Sequence, residues 1–251
     1  MFESIDYGVV AWCTFALVCG GLIKGALGVG TPLLTVPLMA LVLPPQLAVA
    51  LMSIPIVVAN VWQFAQSDRS DAVVGRFWPA FVAVLIGTWI GVKILSVLDE
   101  RSLLLVVGAV VLLFTALQAS SYKFRLSEYA VKPAGAGFGL ASGIIGGVSS
   151  MFGPMLIIYL LSVGGLSKNQ FVSSISFLYV SAVVPWAISL YLFGILDNQL
   201  LVYSIIATLP VSVGLLGGRR LRGLISERAF QRLVLVVLVT SGGTMIWRAF
   251  N

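Results

Sequence analysis

The sequence predicts an all-α polytopic membrane protein of two similar halves. Each half has five segments, which gives eight long spans overall plus two short broken or re-entrant segments. Three observations carry this reading. Of 251 residues, 59% are hydrophobic and only 10% charged, where a soluble domain carries about 25% charged residues. The mean hydropathy is +1.07, and apolar runs of roughly 20 residues, enough for a crossing, use nearly the whole chain and leave no room for a soluble catalytic domain. Finally, one unusual stretch occurs twice. Gly20 to Leu43, GGLIKGALGVGTPLLTVPLMALVL, is apolar yet interrupted by Gly25, Gly28, Gly30 and Pro32. Displaced by 122 residues, Ser142 to Val163, SGIIGGVSSMFGPMLIIYLLSV, falls on it without a gap. Gly21, Ile23, Gly25, Pro32, Leu34 and Leu38 match Gly143, Ile145, Gly147, Pro154, Leu156 and Leu160 identically.

The first span is Val9 to Leu27, followed by the break and a short segment, Pro32 to Leu43, ended by Pro44-Pro45. The next spans are Gln46 to Phe64, Phe77 to Leu98 and Ser102 to Leu117, with a polar loop at Gln66 to Arg76 and a tight turn at Asp99-Glu100-Arg101. Residues 120–132 form a basic linker between a first repeat, 1–119, and a second, 133–251. The second repeat runs in the same order: Pro133 to Val148, the break, Pro154 to Val163, then Ser167 to Phe193, Gln199 to Gly217 and Ala229 to Trp247. Outside the breaks, Gly91, Lys93, Leu95 and Leu98 align with Gly217, Arg219, Leu221 and Leu224 at a shift of 126, and Glu100-Arg101 with Glu227-Arg228 at 127.

Five segments per half is an odd number, so the second copy is expected to enter the membrane inverted. Charge supports this. With inverted halves and the N-terminus outside, the cytoplasmic loops hold eleven basic residues: Arg69, Arg76, Lys123, Arg125, Lys132, Lys168, Arg219, Arg220, Arg222, Arg228 and Arg232. Lys93, Arg101 and Arg248 stay outside, whereas four crossings per half would divide the charges eight to six. The positive-inside rule prefers eleven against three. The net charge of +6 therefore reflects loops between spans rather than a nucleic-acid surface. The N-terminus, with Glu3 and Asp6, lacks the basic region of a cleavable signal. Cys13 and Cys19, both inside the first apolar segment, read as small apolar residues.

A broken helix inside a bilayer is tolerated where protein or a water-filled cavity takes up the freed backbone groups, and such breaks mark binding sites in transporters. Thr31 before Pro32, and Gly153 before Pro154, read as N-cap followed by Pro at N1. Each short segment would then present a helix N-terminus, with free N–H donors and about half a positive charge. In an inverted repeat two such ends would point toward one another, an arrangement suited to a small anion. The expected ligands are the backbone of Thr31, Pro32 and Leu33 and of Gly153, Pro154 and Met155, with Gly28 and Gly30 shaping the first break and Thr31, Ser149 and Ser150 adding hydroxyls. The alternative is that each glycine serves close helix packing.

Lys24 is the one basic residue placed near a break. A charge at the bilayer centre costs at least ~2.5–3.5 kcal/mol, so it either serves the site or snorkels to the far interface. Asn60 and Gln63 share a face of the second span, and Ser174 lies on the equivalent later span with Ser173, Ser176 and Tyr179; these line a hydrated path or bond helix to helix. The chain has no His, and its nine acids fall in expected loops or termini. That argues against an intramembrane enzyme, which needs a nucleophile and base or metal ligands, and no cofactor or metal is expected. A proton-linked carrier of this kind would move its proton on the substrate or on Lys24.

The Gly-rich break followed by PLLTVPLMALVLPP, repeated as GPMLIIYLLSVGGLSK, resembles the sulfite exporter TauE/SafE family, the TSUP anion permeases, over essentially the whole chain. Gly21, Gly25, Gly28, Gly30, Pro32 and Pro37 look like that family's first motif, and Gly143, Gly147, Gly153 and Pro154 like its second. The second copy departs from the first with Tyr159 in place of Pro37 and Ser150-Met151-Phe152 in place of Gly28-Val29-Gly30. The resemblance implies export of sulfite, organosulfonates or related oxyanions across the bacterial cytoplasmic (inner) membrane. Its partners would be a small anion and lipid, with a homo-oligomer left open. A passive anion channel, an uptake permease for another small anion and a non-transporting membrane subunit are the alternatives.

Overall fold

The computed structural model describes residues 6–27, 30–66, 71–119, 125–221 and 227–250. Every regular element among them is an α-helix: α1 (Tyr7–Leu27), α2 (Thr31–Met39), α3 (Pro45–Leu51), α4 (Ser53–Ala65), α5 (Asp71–Val97), α6 (Glu100–Ala119), α7 (Glu128–Ser149), α8 (Gly153–Val163), α9 (Lys168–Leu192), α10 (Asn198–Leu221) and α11 (Glu227–Phe250). Among the described residues five helices are long and apolar enough to cross a membrane: Tyr7–Ala26, Pro45–Ala65, Gly75–Val97, Asn169–Leu192 and Asn198–Arg220. The chain is a multi-pass membrane protein. Each expected segment has its helix. Two starts are displaced: α5 begins six residues before Phe77, inside the expected polar loop, and α7 begins five residues before Pro133 and takes the last residues of the expected linker.

Pro45–Ala65 is interrupted at Met52, where α3 gives way to α4. Pro55 has no N–H to offer the Leu51 carbonyl, so the helical ladder opens there. Ser204 on α10 repairs it: its hydroxyl donates to Leu51 O at 2.9 Å, accepts from Ile54 N–H at 3.0 Å and lies 3.1 Å from Ser53 Oγ.

The chain divides into two units, and neither is a sequence half. One comprises residues 1–55, 98–116 and 198–251; the other comprises 56–97 and 117–197. In the first unit α1 packs along α10, α2 folds back on α1, and α6 meets α11, where a Cβ on Gly108 would stand 2.9 Å from Ile246. In the second unit α7 packs along α5, α8 folds back on α7, and α5 and α9 meet through the stacked rings of Phe81 and Phe177.

The principal helix pair of each unit is built in the same way. A Cβ on Gly21 would stand 2.2 Å from Val211 O, and one on Gly143 would stand 2.5 Å from Val84 O. From the other side, a Cβ on Gly218 would be 2.1 Å from Leu22 O, and one on Gly91 would be 2.4 Å from Ile144 O. These backbones touch, and only glycine allows it, as membrane helix interfaces favour. Gly21 and Gly143, like Leu22 and Ile144, are 122 apart; Val84 and Val211, like Gly91 and Gly218, are 127 apart. The contacts thus pair Gly91 with Gly218, one residue beyond the expected Gly217, whose Cβ would meet only a Leu22 methyl at 3.2 Å.

Candidate functional site

The first break is positioned by one face of α1. Trp12 Nε1 donates to Leu38 O at 2.8 Å. Four residues on, Ala16 O accepts from Thr35 Oγ1 at 3.3 Å, while that hydroxyl also donates to Thr31 O at 2.9 Å. Four further on, a Cβ on Gly20 would stand 1.8 Å from Thr35 Oγ1 and 2.8 Å from Thr31 O. The α2 partners descend, 38, 35, 31, as α1 ascends, so α2 runs back along this face toward its own N-terminus. Lys24 is next in the row, one turn and about 6 Å past Gly20, where α2 has run out. The α1 side chain next to the α2 N-cap is that of Ile23, whose Cγ2 would stand 3.5 Å from a Cβ on Gly30. Lys24 is buried, 7% exposed.

The start of α2 differs from expectation by one residue. Gly30, not Thr31, is the N-cap, and its φ of 98° requires glycine. Thr31 and Pro32 are the first and second helical residues. Pro32 has no N–H, and that of Leu33 donates to Gly30 O at 3.1 Å. Of the three backbone donors expected here, Thr31 N–H is the one left for a ligand. The Thr31 side chain is 2% exposed, and its Oγ1 has no hydrogen-bond partner among the described residues. An orphaned buried hydroxyl costs ~1–3 kcal/mol, which a ligand oxygen would recover. Gly28 lies outside the described residues.

The second break is also one residue out of register. Phe152 is the N-cap of α8, with Gly153 and Pro154 as its first two residues. α7 ends on Ser150, which takes a left-handed conformation at φ 65°. The expected hydroxyls are engaged within the protein. Ser149 Oγ donates to Ile145 O at 2.6 Å and accepts from Met151 N–H at 3.3 Å. Ser150 Oγ donates to Ser149 O, and Ser142 Oγ to Phe152 O at 2.7 Å. Phe152 is buried with its ring edge-on to Trp186, 6.0 Å between centroids, and Trp186 Nε1 donates to Gly147 O at 3.2 Å. Met155 is half-buried one turn into α8.

The remaining expected residues bond helix to helix or within a helix. Gln63 Nε2 donates to Ser176 Oγ on α9 at 3.2 Å. Asn60 Nδ2 donates to Ile56 O at 2.8 Å, and Ser174 Oγ to Gln170 O at 2.7 Å. Both side chains are buried. Among the described residues no three His, Cys, Asp or Glu side chains gather as metal ligands. The described acids, Asp6, Asp71, Asp99, Glu100, Glu128, Asp197 and Glu227, all stand at or beside helix starts, where the helix dipole favours them.

Three contributors were missed in the sequence. Phe152 and Trp186 fill the second break, and Arg248 Nη1 donates to Ala40 O at the C-terminal end of α2. The substitution of Gly30 by Phe152 between the repeats was a visible signal for the first of these. Nothing in the sequence pointed to Arg248, which meets α2 only through tertiary packing. A family model described as Sulfite exporter TauE/SafE matches residues 13–245. No curated protein and no solved structure matches the chain.

Proposed function

Because this chain belongs to the sulfite exporter TauE/SafE family, whose members are transporters and not enzymes, we propose that it is a secondary transporter exporting a small sulfur-containing oxyanion, sulfite or an organosulfonate, across a bacterial cytoplasmic membrane. The observation that carries the site is the row Trp12, Ala16, Gly20, Lys24. Three of its members are held against α2, and the fourth, one turn on along α1, is the buried Lys24; at the start of α2 the buried Thr31 hydroxyl has no partner among the described residues. We read Lys24, the α2 N-terminus and the Thr31 hydroxyl as serving one guest. The guest they suit is an anion with several acceptor oxygens. The ligands we assign are Lys24 Nζ, Thr31 N–H and Thr31 Oγ1, with Gly30 keeping the approach clear.

The architecture we propose has eight spans and two inverted repeats with the N-terminus outside. The paired glycine crossings at Gly21 and Gly143 support the duplication, and the distribution of basic residues supports the inversion. Access would alternate as one bundle moves relative to the other. In proteoliposomes, sulfite loaded on one side should accelerate uptake of labelled sulfite from the other. Flux that rises linearly with concentration and shows no counterflow would instead identify a channel.

A further inference from the structure

The chain passes between its two units after residues 55, 97, 116 and 197. After 97 and after 197 it runs between helices, and after 116 it is three residues from the end of α6. Among the described residues, the passage after 55 is the one inside a stretch long and apolar enough to cross the membrane, Pro45–Ala65. It falls beside the interruption between α3 and α4, where Pro55 removes a ladder bond. Within each unit the principal helix pair is held backbone to backbone at glycines. A Cβ on Gly214 would stand 2.1 Å from Val18 O, and one on Gly87 would stand 2.4 Å from Leu140 O. Close-packed pairs of this kind resist deformation. A spanning helix that joins two stiff bodies yields first at its weakest turn, and here that turn is Met52–Pro55.

We propose that this interruption is a hinge of the transport cycle and that Ser204 is the positioning residue that latches it. One hydroxyl serves three groups of the interruption. It gives its proton to Leu51 O at 2.9 Å, receives that of Ile54 N–H at 3.0 Å, and lies 3.1 Å from Ser53 Oγ. Ser53 and Ser204 are fully buried, so these groups satisfy one another without help from solvent. A single side-chain rotation of Ser204 releases all three. The freed hydroxyl can then take the carbonyl one turn back on its own helix, as Thr208 and Ser212 do. Latched, the joint keeps α3 and α4 in one alignment; released, it flexes at Pro55. The part played in transport rests on the reading above; the opening of the joint does not.

Two measurements on the full-length chain test this. The first, hydrogen–deuterium exchange in nanodiscs, needs no ligand. Amides of residues 52–54 should exchange about tenfold faster or more than those of residues 58–62, because the joint opens locally. Ser204→Ala should quicken exchange at 52–54 further. Pro55→Ala, which restores the N–H that Leu51 O lacks, should slow it toward that of 58–62. If Ser204→Ala does not accumulate, Ser204→Cys, a weaker donor of similar size, reads the same effect. Equal exchange in the two stretches, or no response at 52–54 to the loss of the Ser204 hydroxyl, would overturn the proposal. The second measurement is sulfite counterflow in proteoliposomes. Pro55→Ala should raise the unfolding midpoint yet slow saturated counterflow about fivefold or more, with the half-saturating concentration kept within about twofold. An interruption that serves folding alone would give the higher midpoint with unchanged counterflow, and that result would overturn the proposal. Local opening at 52–54 in a wild type that shows no sulfite counterflow would uphold the joint and sink the sulfite reading instead.

Discussion

At the first break the helix that follows is capped by a glycine, and Lys24 lies one turn past Gly20 on α1. At the second break the cap is a phenylalanine, and the lysine position is a glycine pressed against its ring. Both breaks begin from an apolar run, a left-handed residue and a proline at the second helical position. Both fold the short helix back on the long one. They part in what remains unsatisfied. The first leaves a buried threonine hydroxyl without a partner, while the second consumes its serine hydroxyls locally. The lesson is that similar breaks need not carry similar chemistry: the first keeps an unpartnered hydroxyl among the described residues, and the second packs an aromatic ring at its cap.

Substitutions at equivalent places should therefore move different observables. The largest effect on stability is expected from Phe152→Ala, which empties a fully buried aromatic position and should cost about 3–5 kcal/mol. Denaturant unfolding in detergent checks this, and the surviving folded fraction should bind sulfite with affinity near that of the wild type. Lys24→Met should do the reverse. Removing a charge-assisted contact should weaken binding by about 1.5–3 kcal/mol, with a smaller loss of stability than Phe152→Ala. If Lys24→Met lowers stability and leaves affinity intact, the contrast between the breaks is wrong.

Thr31→Val comes next. It deletes the orphan hydroxyl but keeps the shape, so the free protein should gain stability while affinity falls by about 0.5–1.5 kcal/mol. Comparing unfolding midpoints with and without sulfite separates the two effects. The smallest change is expected from Ser150→Gly. It relieves the left-handed conformation of a residue with a Cβ and should leave sulfite affinity within about twofold. A loss of affinity comparable to that of Lys24→Met would restore the second break as a binding element.

Much of the helix order was legible because span length and break chemistry are local properties. Proline and glycine at 28–32 and 150–154 announced themselves, and every expected segment met a helix within a few residues. The caps stand one residue earlier than expected in both breaks, at Gly30, which is left-handed, and at Phe152. The start of α7 was misjudged because Pro133 looked like a helix opener, whereas it sits inside the helix. The destination of the serine hydroxyls could not be read from the sequence: a serine in an apolar helix looks the same whether it faces a path or donates to the carbonyl one turn back. The contact units are not legible in the sequence: α1 to α3 group with α10 and α11, while α4 and α5 group with α7 to α9. That grouping depends on which glycine faces match, a property of pairs rather than of segments.

The most direct test is to locate the anion itself. Selenite is close to sulfite in shape and charge, and its selenium can be placed by anomalous scattering in crystals of the full-length protein. The account predicts one selenium per chain, with an oxygen within hydrogen-bond distance of Lys24 Nζ and of the Thr31 hydroxyl. Selenium at the start of α8 beside Gly153 and Phe152, or at both breaks, would contradict it.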